Sequence, residues 1–207
     1  MASTFTTNYG FEEIATGEQS GTWGATTNFN YDILDRIASY KAVGLTGTSH
    51  TLTVREASPG SGTENLQDGM YRVIKFTGAL GGNNTVTVAP NTTAAYFIIE
   101  NATTDSGSSG PYNVIVKQGS GATVTVQNGK NVIVYCDGAG SGAAVTDALA
   151  DLQIGTLEVT GAAAIDGAAT LGNSLSVATT STLTGAVTAS AGVTAAKEDS
   201  GTNTVLN

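Results

Sequence analysis

The sequence predicts a mainly β chain with four parts: an N-terminal amphipathic helix, a small antiparallel β-sandwich, a short coiled-coil helix, and an intertwined trimeric β-shaft. Three observations carry this expectation. Charged residues make up 12% of the 207 residues, about half the usual share, and there are 27 Gly but only 3 Pro. Such a composition favours strands and turns over long helices. Between residues 44 and 140, short runs rich in Val, Ile, Thr and Tyr alternate with clusters of Gly, Asn, Ser and Pro. From 156 to 185, Val159, Ile165, Leu171, Val177 and Leu183 recur at intervals of six, with small residues nearly everywhere else.

The first 43 residues form a polar segment with scattered aromatics (Phe5, Tyr9, Phe11, Trp23) and one helical pattern. In TTNFNYDILDRIASYK (26–41), Phe29, Ile33, Ile37 and Tyr40 fall at helical spacing, with Leu34 beside them. Thr26 or Thr27 is a suitable N-cap, and Lys41 suits the negative end of the dipole. The spacing predicts a helix over 26–41.

From 44 to 140 the runs TLTVRE (51–56), MYRVIKF (70–76), TVTVAP (85–90), AYFIIEN (95–101), YNVIVKQ (112–118), ATVTVQ (122–127) and NVIVYCD (131–137) read as strands. Asn128-Gly129 predicts a type I′ hairpin between the last two, and 102–111 an exposed, mobile connection. Strands at this spacing predict a compact antiparallel sandwich or jelly-roll-like barrel. Tyr71, Tyr96, Phe97, Tyr112 and Tyr135 are expected in its core rather than as platforms for sugars.

Residues 141–154 begin as a flexible hinge. Val145, Ala148, Leu149 and Leu152 then stand at i, i+3, i+4 and i+7, the stripe of a two-turn helix too short to stand alone. It is either a brief coiled coil on a shared axis or a helix docked back on the sandwich.

The hexad region covers 155–197, followed by a polar tail at 198–207. Gly155, Gly161 and Gly167 share the six-residue period, so the repeat involves turns as well as bulky positions. A fixed short period makes a solenoid or a fibre, because each unit supports only its neighbours. A single-chain hexapeptide β-helix takes about eighteen residues per coil, which leaves little more than two coils here, below the roughly three units such folds need. If three chains each supply one side, the same segment builds about seven layers around a common axis. The axis candidates are Val145, Leu149, Leu152, Val159, Ile165, Leu171, Val177 and Leu183. One aliphatic side chain buried per hexad contributes about 2 kcal/mol, less than the ordering of six backbone residues costs at about 1–2 kcal/mol each. Alone, therefore, the segment is expected to be a disordered tail.

Charge and residue content exclude several classes of function. A net charge of −9 and eight scattered basic residues argue against nucleic acid as a partner. No apolar run approaches the roughly 18 residues of a membrane span, so no membrane insertion is expected. MASTFTTNYGFEEIATG has neither a basic nor an apolar signal region, and no secretion signal is expected. Cys136 is the only cysteine, which rules out an intrachain disulfide and a Cys-rich zinc site. His50 is the only histidine, and a polar strand-edge role is expected for it rather than a triad or a trimeric ion site. Carboxylates could form a glycosidase pair, but polysaccharide-cleaving spikes generally resemble far larger β-helices. No enzyme activity, cofactor or metal is expected.

TGEQSGTWGATTNFNYDILDRI, with Trp23-Gly24, Asn28, Asn30 and Leu34-Asp35, resembles the N-terminal segment of tailed-bacteriophage tail-fibre proteins. GKNVIVYCDG (129–138) is similar to the end of the small sandwich that follows there, and LEVTGAAAIDGAATLGNSLSV resembles their repetitive shafts. The resemblance implies a homotrimeric structural protein of the virion, assembled in the host bacterial cytoplasm. Its N-terminus would attach to a tail tube, adaptor or nozzle protein, holding a host-recognition end away from the particle. Trp23, Phe29, Ile33 and Ile37 are then the docking candidates; the alternative is that they pack the N-terminal segment on its own trimer core. Such fibres usually continue into a receptor-binding tip, whereas KEDSGTNTVLN is polar and knobless. Either recognition of a host surface receptor belongs to another protein, or the chain is the proximal part of a longer fibre. Two other expectations stand beside this one: a capsid head fibre or decoration protein, and a glycan-binding module.

Overall fold

The computed structural model describes residues 2–107, 109–179, 181, 182, 184, 185 and 188. The chain divides after Gly155 into two units. In the first, the elements run β1 (Thr4–Phe5), β2 (Glu12–Glu13), α1 (Trp23–Ile37), β3 (Tyr40–Gly44), β4 (Ser49–Thr53), a 3-10 turn (Asp68–Met70), β5 (Val73–Thr77), β6 (Ala79–Leu80), β7 (Asn84–Ala89), β8 (Ala95–Asn101), β9 (Thr104–Asp105), β10 (Val114–Lys117), β11 (Val124–Val126), β12 (Asn131–Cys136), a second 3-10 turn (Gly140–Gly142) and β13 (Val145–Asp147). All seven strand runs read from the sequence contain a strand.

Their partners differ from the expectation. A five-stranded sheet has the order β13-β12-β8-β5-β3 and a four-stranded sheet the order β11-β10-β7-β4. Within them β3, β5 and β8 are parallel, and so are β4, β7 and β10. Parallel neighbours need a crossover connection; here each crossover passes through a strand of the other sheet. The chain therefore winds from sheet to sheet, and each pass stacks on the one before. Pairing becomes antiparallel only at one end, where β11, β12 and β13 finish the stack. The sheets are mixed, not antiparallel. Asn128-Gly129 makes no hairpin, because β11 and β12 lie in different sheets; only Gly129 of the pair has a positive φ, +73°. The connection over 102–111 contributes β9, which pairs in parallel with β6.

Winding of this kind sends alternate residues of both sheets into one core. Across the five-stranded sheet, Ile74, Ile99 and Val132 share a row, as do Phe97 and Val134. Across the other, Val86, Val116 and Val124 align, with Leu52 beside Val88. Phe76, Phe97, Leu45, Leu52 and Ile74 are all buried in this cluster. Gly78 lets the passes approach. Its φ is +110°, and a Cβ there would lie 2.3 Å from the Leu45 carbonyl oxygen.

Two helix expectations need correction. The first helix runs from Trp23 to Ile37, so Thr26 and Thr27 lie inside it, and Tyr40 and Lys41 open β3. Lys41 Nζ sits 3.6 Å from Asp68 instead of at the helix end. Over 145–152 there is no helix: Val145–Asp147 is a strand on the edge of the five-stranded sheet, and Ala148–Asp151 is a turn. Val145 is a residue of the chain's own core at 1% exposure, which removes it from any shared axis.

In the second unit the described residues form no helix or strand. The backbone bends at 160–161, 166–167, 172–173 and 178–179, with four unbent residues between successive bends. Leu183 and the 198–207 tail lie outside the described residues.

Two substitutions test this architecture by urea denaturation. Phe76→Ala removes a fully buried ring and is expected to cost about 3–5 kcal/mol. Gly78→Ala forces a Cβ against backbone at positive φ, for a loss of more than about 1 kcal/mol. An unchanged midpoint for Gly78→Ala would contradict the close passage of Leu45.

Candidate functional site

The N-terminal helix is held by a polar latch that the sequence did not announce. Asn30 pairs with the backbone of β2 like a neighbouring strand: its Oδ1 accepts from Glu12 N at 2.9 Å and its Nδ2 donates to Glu12 O at 3.0 Å. The Glu12 carboxylate, itself nearly buried, accepts from Gly62 N at 2.7 Å and from the Ser61 hydroxyl and Gln19 amide. Gln19 in turn accepts a hydrogen bond from Thr26, which is 1% exposed in the first half of α1. Burial raises the Glu12 pKa, but hydrogen bonds from Ser61, Gly62, Ser3 and Gln19 outweigh it and hold the carboxyl below its ordinary value.

This latch decides which side of the helix faces out. Of the docking candidates, Ile33 is buried at 2% exposure, Phe29 and Ile37 are half-buried, and Trp23 is open at 62%. Ile33 therefore packs the chain against itself and cannot dock on a partner. Tyr31 and Leu34 are exposed beside Trp23. Positions 23, 31 and 34 lie on one side of a helix of 3.6 residues per turn. The exposed apolar stripe is Trp23/Tyr31/Leu34, which keeps Trp23 of the docking candidates and adjoins the Phe29/Ile33/Ile37 stripe.

A second apolar surface covers the outer face of the five-stranded sheet. Tyr40, Val73, Ile98 and Ile133 form one row across β3, β5, β8 and β12, and Tyr96 pairs with Tyr135 in the next. Tyr96, Tyr135, Tyr40 and Ile98 are all exposed. The expected core placement of Tyr96 and Tyr135 is therefore reversed, while Phe97 is fully buried and Tyr71 and Tyr112 pack against the core. The alternation in AYFIIEN already placed Tyr96 and Ile98 opposite Phe97 and Ile99. Lys75 and Glu100, in the row beyond, pair at 2.9 Å and cancel in charge.

Arg72 closes one end of this face. Its guanidinium lies 4.8 Å from the Tyr9 ring and 4.9 Å from the Tyr96 ring, and Nη1 donates to the Tyr96 carbonyl at 3.2 Å. Burial pushes its pKa down. The four-stranded sheet presents instead Ser49, Thr51, Thr53, Thr85 and Thr87 outward. His50 lies in β4, the edge strand of that sheet. Cys136 is buried in the core, and burial pushes its thiol up to about 12.

The remaining axis candidates are exposed in the chain: Leu149 and Leu152 after β13, and Val159, Ile165, Leu171 and Val177 in the second unit. Each of the last four directly precedes a backbone bend. Among the described residues no three His, Cys, Asp or Glu side chains are grouped to hold a metal ion, and no helix is long and apolar enough to cross a membrane. No protein-family model, curated protein or solved structure matches the chain.

The latch has a pH signature. A folded-state pKa below the ordinary 4.5 means that Glu12 stabilises the fold fully above that value and loses the contribution as pH falls through the lower folded value. Urea midpoints of the wild-type chain should fall more steeply than those of Glu12→Gln below about pH 4.5. Parallel curves would show that the carboxylate does not hold the latch.

Proposed function

We propose that the chain is a homotrimeric structural fibre protein of a tailed-phage virion, with its N-terminal unit as attachment and shoulder and its hexads as shaft. The observation that carries this reading is the coincidence of two periods in the second unit. Bulky side chains recur every six residues, and the backbone bends recur every six residues directly after them. Residues 159, 165, 171 and 177 all stay exposed in the single chain. A segment that repeats an aliphatic residue and a bend but covers neither lacks its other faces, and symmetry-related copies supply them. The role is mechanical: it needs no cofactor, metal or catalytic group.

Attachment falls to Trp23, Tyr31 and Leu34, which are apolar, exposed and set on a helix that the Glu12 latch holds in place. The partner on the particle is a tail tube, adaptor or nozzle protein. The resemblance of 16–37 and of the hexads to tail fibres supports the tail over the capsid. The exposed tyrosines of the five-stranded sheet favour a second reading, in which this face stacks on host polysaccharide.

Light scattering of the full chain should give the mass of three copies. Ile165→Asp with Leu171→Asp places charges on the axis and should return a monomer whose first unit keeps its circular dichroism. A wild-type monomer would end the shaft reading. For attachment, Trp23→Ala with Leu34→Ser should change folding stability by no more than about 0.5 kcal/mol, as exposed positions do. The same pair should abolish incorporation into particles. Normal incorporation would move the docking surface elsewhere.

A further inference from the structure

The outer face of the five-stranded sheet is unlike any other strand surface of the first unit. The four-stranded sheet turns out mainly Ser and Thr, with one half-buried aliphatic residue, Ile115, and Lys117 among them. The five-stranded sheet turns out Tyr40, Val73, Ile98 and Ile133 in one row and Tyr96 and Tyr135 in the next. Contiguous apolar surface of this kind marks an interaction site in a water-soluble domain. Its aromatic content is that of an interface core.

Charge and chain path point to the occupant. The chain carries a net charge of −9, so two copies repel over most of their surface. On this face the charged side chains in β3, β5, β8 and β12 are Lys75 and Glu100, already paired at 2.9 Å. With that pair cancelled and the Arg72 guanidinium at its end, the face lacks the acidic excess of the rest of the molecule, which makes it the place where a second copy meets the least repulsion. The same sheet ends in β13, the last strand before the hexads, and exposes Leu149, Leu152 and Ile154 on the way out. A shaft of three parallel chains confines three such units within reach of one another.

We propose that this face is where the first units of three copies meet, with Tyr40, Tyr96, Ile98 and Tyr135 turned toward the three-fold axis. The inference rests on the trimeric reading above and assigns it a second, separate contact. Three identical faces around one axis form a closed cyclic assembly, with no surface left to propagate into filaments. The adjoining Arg72 guanidinium lies between the Tyr9 and Tyr96 rings at the rim of the face.

The test is maleimide labelling of single cysteines in the full chain: Ile98→Cys on the face, and Thr51→Cys on the exposed outer side of β4. Cys136 is buried, and its raised pKa keeps it silent as a background. In the trimer, Ile98→Cys should label at least about tenfold more slowly than Thr51→Cys, since only the dissociated fraction reacts. In the Ile165→Asp/Leu171→Asp background, the two cysteines should label at similar rates. A trimer of unchanged mass in which Ile98→Cys labels as fast as Thr51→Cys overturns the face and leaves the shaft intact. That result would leave the tyrosines open to a polysaccharide. Slow labelling that persists in the monomeric background also overturns it, by assigning the protection to the chain itself. A wild-type monomer overturns the face and the shaft together.

Discussion

One core shared by two sheets governs the first unit. Because β3, β4, β5, β7, β8 and β10 fall by turns in the two large sheets, neither sheet can be completed before the other: β5 is separated in sequence from its neighbour β3 by β4, and β7 from β4 by β5. Each pass brings residues such as Phe76, Val86 and Val88 onto the cluster left by the one before. Strand pleating then fixes the outside as firmly as the inside. Once Phe97 and Ile99 are committed to the core, Tyr96 and Ile98 have no alternative to the surface. Register fixes which residues make up the outer face, and their apolar character is a matter of composition.

The latch at Glu12 solves a different problem. A helix that touches the body mainly through β2 and the turn at Asp68–Met70 has little apolar contact to orient it, and Ile33 is its one fully covered aliphatic residue. Hydrogen bonds are directional where apolar contact is not. Asn30 on the backbone of β2, and Gln19 between Glu12 and Thr26, fix the rotation of the helix about its axis. That rotation determines that Trp23, Tyr31 and Leu34 face outward.

Local structure was legible in the sequence, and partnership was not. Alternation located seven of the nine strands of the two large sheets because pleating acts residue by residue, and missed β3 and β13. Whether a neighbour runs parallel or antiparallel depends on residues far away: Val73 pairs with both Tyr40 and Ile98. The stripe Val145, Ala148, Leu149, Leu152 fitted a helix, but a strand followed by a turn accommodates the same residues once Val145 is drawn into the core. The helix was legible as a helix, but which of its apolar residues pack and which stay open was not, because two apolar stripes adjoin on it. The Glu12 carboxylate joins Ser61 across 49 residues, and no periodicity carries such a signal. In the hexads the interval of six appears in the backbone bends as well as in the bulky residues.

The bends of the second unit carry one more implication. Side chain and bend keep step over 159–179 because both obey the same interval of six. Adding or removing one whole interval leaves every other bend next to its bulky residue, while any other insertion slides the two patterns apart. Length in such a segment is therefore quantised. A lineage carrying it can change its length by duplication or loss only in steps of six residues.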